Sequence, residues 1–508
     1  MLLFESLLQL PCTGIFISLC LLSFMLLKLR NRSKTRIPSL NLPPGPRKIP
    51  FVGNLHLLVG SLPHHALRDL ALKHGPLMHL QLGEISTIVV SSTELAKQVM
   101  KTQDKIFASR PEILAAKVLS YDCSGIVFSP YGDYWRQLRK ICTTQLLSSK
   151  SVQSFRSLRQ DEFSDLSRWV ASKSGSVINL TEKVYTCAYG VTAKAAFGKK
   201  TKEQESFISL IRVATKLAAG FEISDVYPSI KFLPLISGLK TKLERLHEQA
   251  DRILETIINE HRAVEKDMRV GDNEKQDLVD VLLKFQEDEV EFPLTTANIK
   301  AVLLDIFSAG SETSATTVDW AMSEMLRNPT VLKKAQDEVR QVFQGKSYVS
   351  ESNIDELKYL KSVIKETLRL HPPAPLLLPR ETSESCEING YVIPVKTRVM
   401  VNAWALGRDP KYWEDAEVFK PERFLDSLID YKGNSFEYIP FGSGRRICPG
   451  MSFGLANVEL PLAMFLFHFD WNLPYGCKLD MREVFGVTVR RKDDLFVTPV
   501  VKIPILPI

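Results

Sequence analysis

No two cysteines in this 508-residue sequence form a Cys-x-x-Cys pair or a tight cluster; its eight cysteines stand singly. That argues against a zinc module and against a small disulfide framework, and it suits a reducing compartment where most thiols are small core residues. Glycine and proline are not in excess, and no internal repeat or low-complexity tract occurs, so the composition is that of an ordinary globular protein. A basic body is missing too. The formal net charge is +7, but residues 1–36 hold five cations against Glu5 alone and carry +4 of it, leaving +3 for residues 37–508. No nucleic acid partner is expected on that balance. The length admits one large catalytic domain or two ordinary ones.

Charge is absent from Ser6 to Leu27, although Gln9 and Pro11 dilute the stretch. Roughly 22 residues make a helix of about 33 Å, enough for a hydrocarbon core of about 30 Å. The cations Lys28, Arg30, Arg32, Lys34 and Arg36 all follow it, which puts the remainder in the cytosol. A cleaved leader would carry its charges first and end in a small-residue site. Residues 1–27 are therefore expected to be a retained anchor, a single transmembrane helix. Residues 28–46 follow as a basic spacer stiffened by Leu42-Pro43-Pro44-Gly45-Pro46, and residues 47–508 as the catalytic domain. With that orientation the sequons at Asn31 and Asn179 stay unglycosylated.

From about residue 60 the pattern is mainly helical, with β-like pieces near 77–91, 386–402 and 485–503. Asn179-Leu180-Thr181-Glu182 reads as a capping box opening a helix that runs to about Phe197. Residues 262–292 are crowded with charge and read as a solvated surface segment. The longest helical pattern runs from Thr296 to Arg327, before Asn328-Pro329, and would span about 48 Å. Ile299, Val302, Leu303, Ile306 and Phe307 form its apolar face. Ala309-Gly310-Ser311-Glu312-Thr313-Ser314 interrupts it with a kink signal. Read alone, Glu312 fits a surface position as well as a functional one.

The decisive segment is Phe441-Gly442-Ser443-Gly444-Arg445-Arg446-Ile447-Cys448-Pro449-Gly450. Glycines bracket one thiol, Arg446 precedes it by two residues, and a helical pattern from Met451 to Phe467 follows. A thiolate there gains from the positive end of a helix and from accessible backbone N–H groups, the conditions for a stable anionic metal ligand. The fixed pattern F-x-x-G-x-R-x-C-x-G arises by chance in roughly one chain in ten thousand at ordinary residue frequencies.

This segment resembles the haem-binding loop of the cytochrome P-450 superfamily, and the likeness extends over almost the whole chain. The resemblance implies a mainly α fold, a large helical domain with a smaller β-containing subdomain. It implies heme b (iron protoporphyrin IX) as cofactor, with Cys448 as the metal ligand and Phe441 at the cofactor. Lys365-Glu366-Thr367-Leu368-Arg369 matches the family's E-x-x-R and Pro421-Glu422-Arg423-Phe424 its P-E-R-F, which implies a buried structural charge triad of Glu366, Arg369 and Arg423. Trp135-Arg136-Gln137-Leu138-Arg139 matches W-x-x-x-R. Trp135, Arg139, Arg446 and Arg380 are thereby implied as cofactor-binding residues that reach haem propionates. Ala309 to Ser314 resembles the oxygen-activation signature, which implies catalytic roles for Ala309, Gly310, Glu312 and Thr313. Thr313 would hold dioxygen and an ordered water, and Glu312 would relay protons from solvent.

Segments matching the family's substrate-facing loops are mostly apolar here: Ile113 to Val127, Leu217 to Phe221, Leu303 to Phe307, Leu376 to Leu378, and Val487-Thr488. A lipophilic small-molecule substrate is the expectation. The anchor, the spacer and Val401-Asn402-Ala403-Trp404 look most like plant microsomal enzymes of the largest plant clan, which implies hydroxylation of a specialised metabolite, with terpenoids ahead of alkaloids and phenolics. The resemblance further implies a place in the endoplasmic reticulum membrane and an NADPH-cytochrome P-450 reductase as electron donor, met through Arg136, Lys140 and Arg445. Two rivals remain at this level: a haem-thiolate isomerase or dehydratase that uses no dioxygen, and a membrane-tethered haem carrier without catalysis. The intact Glu312-Thr313 pair speaks against the first.

Overall fold

A computed structural model describes residues 40–198, 204–217, 222–267, 276–287, 292–476 and 478–505. The expected anchor, the spacer up to residue 39, Asn31 and residues 218–221 of one substrate-facing segment lie outside the described residues.

Seven helices matter for the site: α1 (Pro63–His74), α2 (Asp133–Ile141), α3 (Arg156–Ser172), α4 (Leu180–Phe197), α5 (Thr296–Arg327), α6 (Lys358–Leu370) and α7 (Met451–His468). The long α5 crosses the molecule, packed against α4, α6 and α7. Val302, Leu303, Phe307, Trp320, Met322 and Met325 on it have no exposed surface. A helix apolar on several faces belongs in the interior, and each such side chain contributes roughly 1.5–3 kcal/mol by leaving water. A reciprocal capping box of Thr295 and Asn298 opens α5, and Pro329 opens the next helix directly after Asn328. The helix is continuous through Ala309–Ser314, so the expected interruption is not a break. Its small residues admit close neighbours instead: a Cβ on Gly310 would lie 3.3 Å from the Phe453 ring of α7. Among the described residues α7 is the one helix long and apolar enough to cross a membrane, but two-thirds of it is buried in the core.

A smaller sheet lies apart from this helical body. Strand β1 (Leu77–Leu82) pairs antiparallel with β2 (Ile85–Val90), which pairs in parallel with β4 (Arg398–Val401); β3 (Arg380–Glu381) closes the order β1-β2-β4-β3. Leu77, Ile88, Val90, Val399 and Val401 gather around Phe107 and Phe436 in a core of their own. A second sheet joins Ile178–Asn179, Phe496–Val501 and Phe469–Asn472. All three β-like segments of the sequence contain strands.

Two expectations need correction. Residues 262–292 are not simply solvated surface: Leu278–Glu287 is a helix whose Leu278, Val279, Leu282 and Leu283 are buried. Four apolar residues on one helical face were masked by the charges flanking them. The opening of α4 is half a capping box. The Asn179 side chain accepts the Glu182 N–H at 3.0 Å, but no bond from the Asn179 backbone N–H to the Glu182 carboxylate completes the box.

Candidate active site

Residues 441–450 form a constrained loop that feeds α7. Cys448 donates its backbone N–H to the Phe441 carbonyl at 3.0 Å. Gly444 has φ of 70°, and a Cβ there would lie 1.9 Å from the Met100 carbonyl oxygen, so only glycine fits. Burial raises the Cys448 thiol above its ordinary value, opposed by the Gly450 backbone N–H and the Arg139 guanidinium. A metal cation bonded to sulfur reverses that balance, because a coordinating thiol is deprotonated outright.

Around this loop the chain buries arginines without supplying matching anions. Arg446 donates to the carbonyls of Ala108 (2.7 Å), Ser129 (2.5 Å) and Ile126 (3.4 Å), and its guanidinium lies 4.1 Å from the Trp135 ring. Arg380 donates to the carbonyls of Phe107 and Ser443. Arg110 donates to those of Val127, Leu378 and Pro379. Arg139, one turn after Trp135 on α2, is half-buried. Among the described residues Asp104, 3.9 Å from Arg380, is the one carboxylate paired with any of the four. Burial pushes Arg446 down to about 9, helped by Arg380 and Arg139, and pushes Arg380 down to about 10 against the pull of Asp104. A buried cation normally brings its counter-charge. Here the counter-charge has to be an anionic ligand. Trp135 is positioned by its indole N–H, which donates to the Ile126 carbonyl at 3.0 Å.

On α5 one stripe breaks the burial of the helix. Asp305, Ser308, Gly310, Glu312 and Thr313 are part-buried and Ala309 is exposed, at the centre of an otherwise buried element. That pattern marks the wall of an internal open space. The Thr313 hydroxyl donates to the Ala309 carbonyl at 2.7 Å, a back-bond that slightly loosens a helix. The Glu312 carboxylate accepts the Tyr189 hydroxyl at 2.8 Å and the Thr488 hydroxyl at 3.4 Å. It also lines a cleft with Thr181, Tyr185, Arg212, Thr215 and Arg490.

Glu366 and Arg369 of α6 meet Arg423. Arg369 grips Glu366 with two hydrogen bonds of 2.7 and 2.8 Å, and Arg423 adds one of 3.0 Å. Glu366 also accepts the Lys420 N–H, and Arg369 donates to the Gly407, Ala416 and Val418 carbonyls.

A cytochrome P-450 family model matches residues 43–496. The chain belongs to the cytochrome P-450 family. Salviol synthase of Salvia pomifera is 53% identical over 490 residues, covering 95% of this chain and 97% of that one. Premnaspirodiene oxygenase of Hyoscyamus muticus is 55% identical over 93% and 95% of the two chains, and tabersonine 16-hydroxylase 1 of Catharanthus roseus 57% over 90% and 91%. A zebra fish cytochrome P-450 structure with abiraterone superposes with a TM-score of 0.75 at 25% identity, over 87% of this chain and 99% of that one.

This P-450 is a monooxygenase with a haem-thiolate cofactor, a redox partner and a lipophilic substrate. Its own residues fit the group. A part-buried thiol stands just before α7, and four cations crowd where the two haem carboxylates need partners.

Sequence reasoning missed Arg110, Tyr189 and Asp305. The signal for Arg110 was a cation inside Phe107-Ala108-Ser109-Arg110-Pro111; nothing in the sequence pointed to the others. It also missed a His–Glu cluster away from the site. His64 and His65 open α1 and both approach the Glu483 carboxylate, at 2.8 and 3.2 Å. A helix N-terminus favours that anion and disfavours a metal cation, so this is a hydrogen-bonded clamp on the hairpin that carries Thr488.

Proposed function

We propose that this P-450 hydroxylates a lipophilic plant specialised metabolite, a terpenoid ahead of other classes. One observation carries the reading. Every charged side chain in the described substrate-facing segments already has a partner within the chain. Lys117 pairs with Glu112 and Asp122, and Asp305 accepts the Val127 N–H. What remains for a ligand is apolar: Leu114, Val118, Val127, Leu377, Leu378 and Val487 of these segments keep exposed surface. Such walls select by shape and hydrophobic burial rather than by charge. Relatives named for premnaspirodiene and tabersonine stand at nearly equal identity, so a tabersonine-like substrate is the second reading.

When bound, the haem would supply iron-centred activation of dioxygen, and the Cys448 thiolate would hold its iron. Arg139, Arg380 and Arg446 would hold its carboxylates and set its orientation; Trp135, its one N–H spent on the Ile126 carbonyl, instead packs its ring on the Arg446 guanidinium, and Phe441 closes the loop beside the cofactor. Ala309 keeps α5 slim beside the open space, and Gly310 lets Phe453 of α7 pack close behind it. Glu312, joined to the solvent cleft, passes protons, and the Thr313 hydroxyl positions the water that receives them. Thr313→Ala should leave the cofactor bound but divert NADPH consumption into peroxide; full coupling in that variant contradicts the role.

An N-terminal anchor in the endoplasmic reticulum membrane, a cytosolic catalytic domain and an NADPH-cytochrome P-450 reductase complete the reading. Asn179 supports the orientation, because the amide that a glycan would occupy is bonded to Asp494 at 2.8 Å. Arg136 and Lys140 on α2, and Arg445 three residues before Cys448, are exposed and suit an acidic redox partner. The test is reconstitution with the reductase and NADPH against a panel of terpene skeletons and tabersonine, with products read by mass spectrometry. A terpene gaining one oxygen supports the proposal; conversion of tabersonine alone overturns the substrate class.

A further inference from the structure

Asp305 sits one turn before Ala309 and two before Thr313 on α5, on the stripe that borders the open space. Its carboxylate accepts the backbone N–H of Val127 at 2.9 Å, and the neighbouring Ile126 N–H also favours its charged form. The contact is so close that a Cβ on Gly125 would lie 2.2 Å from the Asp305 oxygen. The same short stretch is gripped from the other side. Arg446 and the Trp135 indole both donate to the Ile126 carbonyl, Arg110 donates to the Val127 carbonyl, and the Tyr134 hydroxyl donates to the Ser124 carbonyl at 2.6 Å. Within residues 124–129 the Val127 N–H thus meets α5, while the carbonyls of Ile126, Val127 and Ser129 meet Arg446 and Arg110.

We propose that Asp305 is a positioning residue, the latch that fixes residues 124–127 as the wall of the substrate space and ties that wall to the cofactor arginines. The inference rests on the monooxygenase reading above and adds a determinant of what the space accepts. The physical reason is directional. A loop has few backbone partners of its own, and a buried N–H without an acceptor is costly, so the one carboxylate that takes the Val127 N–H selects one loop position. Burial raises the Asp305 carboxyl to about 7, and the N–H groups of Val127 and Ile126 counter it, so the carboxylate is held by amide dipoles rather than by a cation. An amide substitution keeps the shape but turns half of the acceptor into a donor facing those N–H groups.

The test uses the full-length haem-loaded protein, with Asp305→Asn and, independently, Gly125→Ala. Two iron-coordinating probes are titrated by their spectral shift: imidazole, small enough to ignore the wall, and clotrimazole, which must pack against it. The latch predicts clotrimazole binding weakened by about tenfold in both variants, with imidazole binding unchanged within about twofold. It also predicts faster amide exchange at residues 124–129 with no change around Glu366, read by hydrogen–deuterium exchange. Equal behaviour of wild type and variants toward both probes overturns the latch, as does equal weakening of both. Failure of the underlying reading looks different: wild type itself shows no coordination shift with either probe. Should Gly125→Ala not fold, Asp305→Asn, nearly the same shape, decides alone.

Discussion

Two groups of arginines, one around Glu366 and one around Arg446 of the haem-thiolate loop, are built on contrary plans. Around Glu366, every charge is answered inside the chain: two guanidiniums share one carboxylate, and the spare N–H groups find carbonyls. Around Arg446, four cations crowd together with backbone carbonyls and one distant carboxylate. The first group is complete and can only hold the fold. The second is complete only with an anion from outside. Self-sufficiency of a buried charge separates scaffold from ligand site here better than burial does, since both groups are buried.

The strongest way to break the contrast is to neutralise one member of each group. Glu366→Ala leaves Arg369 and Arg423 buried and unpaired, which should cost about 3–5 kcal/mol and abolish recovery of folded, haem-loaded protein. Thermal unfolding and haem content check it, and a variant that folds normally removes the scaffold role. Arg446→Met should act with two signs. It weakens haem retention by the loss of a charged hydrogen bond, about 1.5–3 kcal/mol, yet raises the unfolding temperature of the haem-stripped chain by relieving repulsion from Arg380 and Arg139. Destabilisation of the stripped chain would make the second group scaffold like the first.

Asp305 supplies the smallest and sharpest comparison, a buried carboxylate answered by amides alone. Burial raises it to about 7, while an unfolded Asp titrates near about 4. Between those values the folded chain keeps a proton that the unfolded chain has released. Its contribution to stability is therefore full below about pH 4 and falls as pH rises through about 7. Replacing it by Asn should remove at least about 1 kcal/mol of that slope between about pH 5 and 7.5, measured by denaturant unfolding. A wild-type slope that survives the substitution contradicts the assignment.

Much of this was readable from residues. The bounds of α5 came from one proline and a run of apolar spacing, and the loop around Cys448 from glycines flanking a thiol. Glu366, Arg369 and Arg423 could be named because local motifs carry them. What stayed hidden is non-local. Asp305 meets Val127 across 178 residues, and its partner is a backbone N–H that no side-chain pattern encodes. Strands of two residues, such as Arg380–Glu381, are too short for any alternation to register. The buried face of Leu278–Glu287 was lost beneath charges at its ends.

The central claim is a bond between the Cys448 sulfur, as an anion, and haem iron. Purified full-length protein should be reduced, exposed to carbon monoxide and scanned in the Soret region. The account predicts the long-wavelength band that only a thiolate opposite carbon monoxide produces, absent from folded Cys448→Ser protein. Haem-loaded, folded wild type that never shows this band contradicts it.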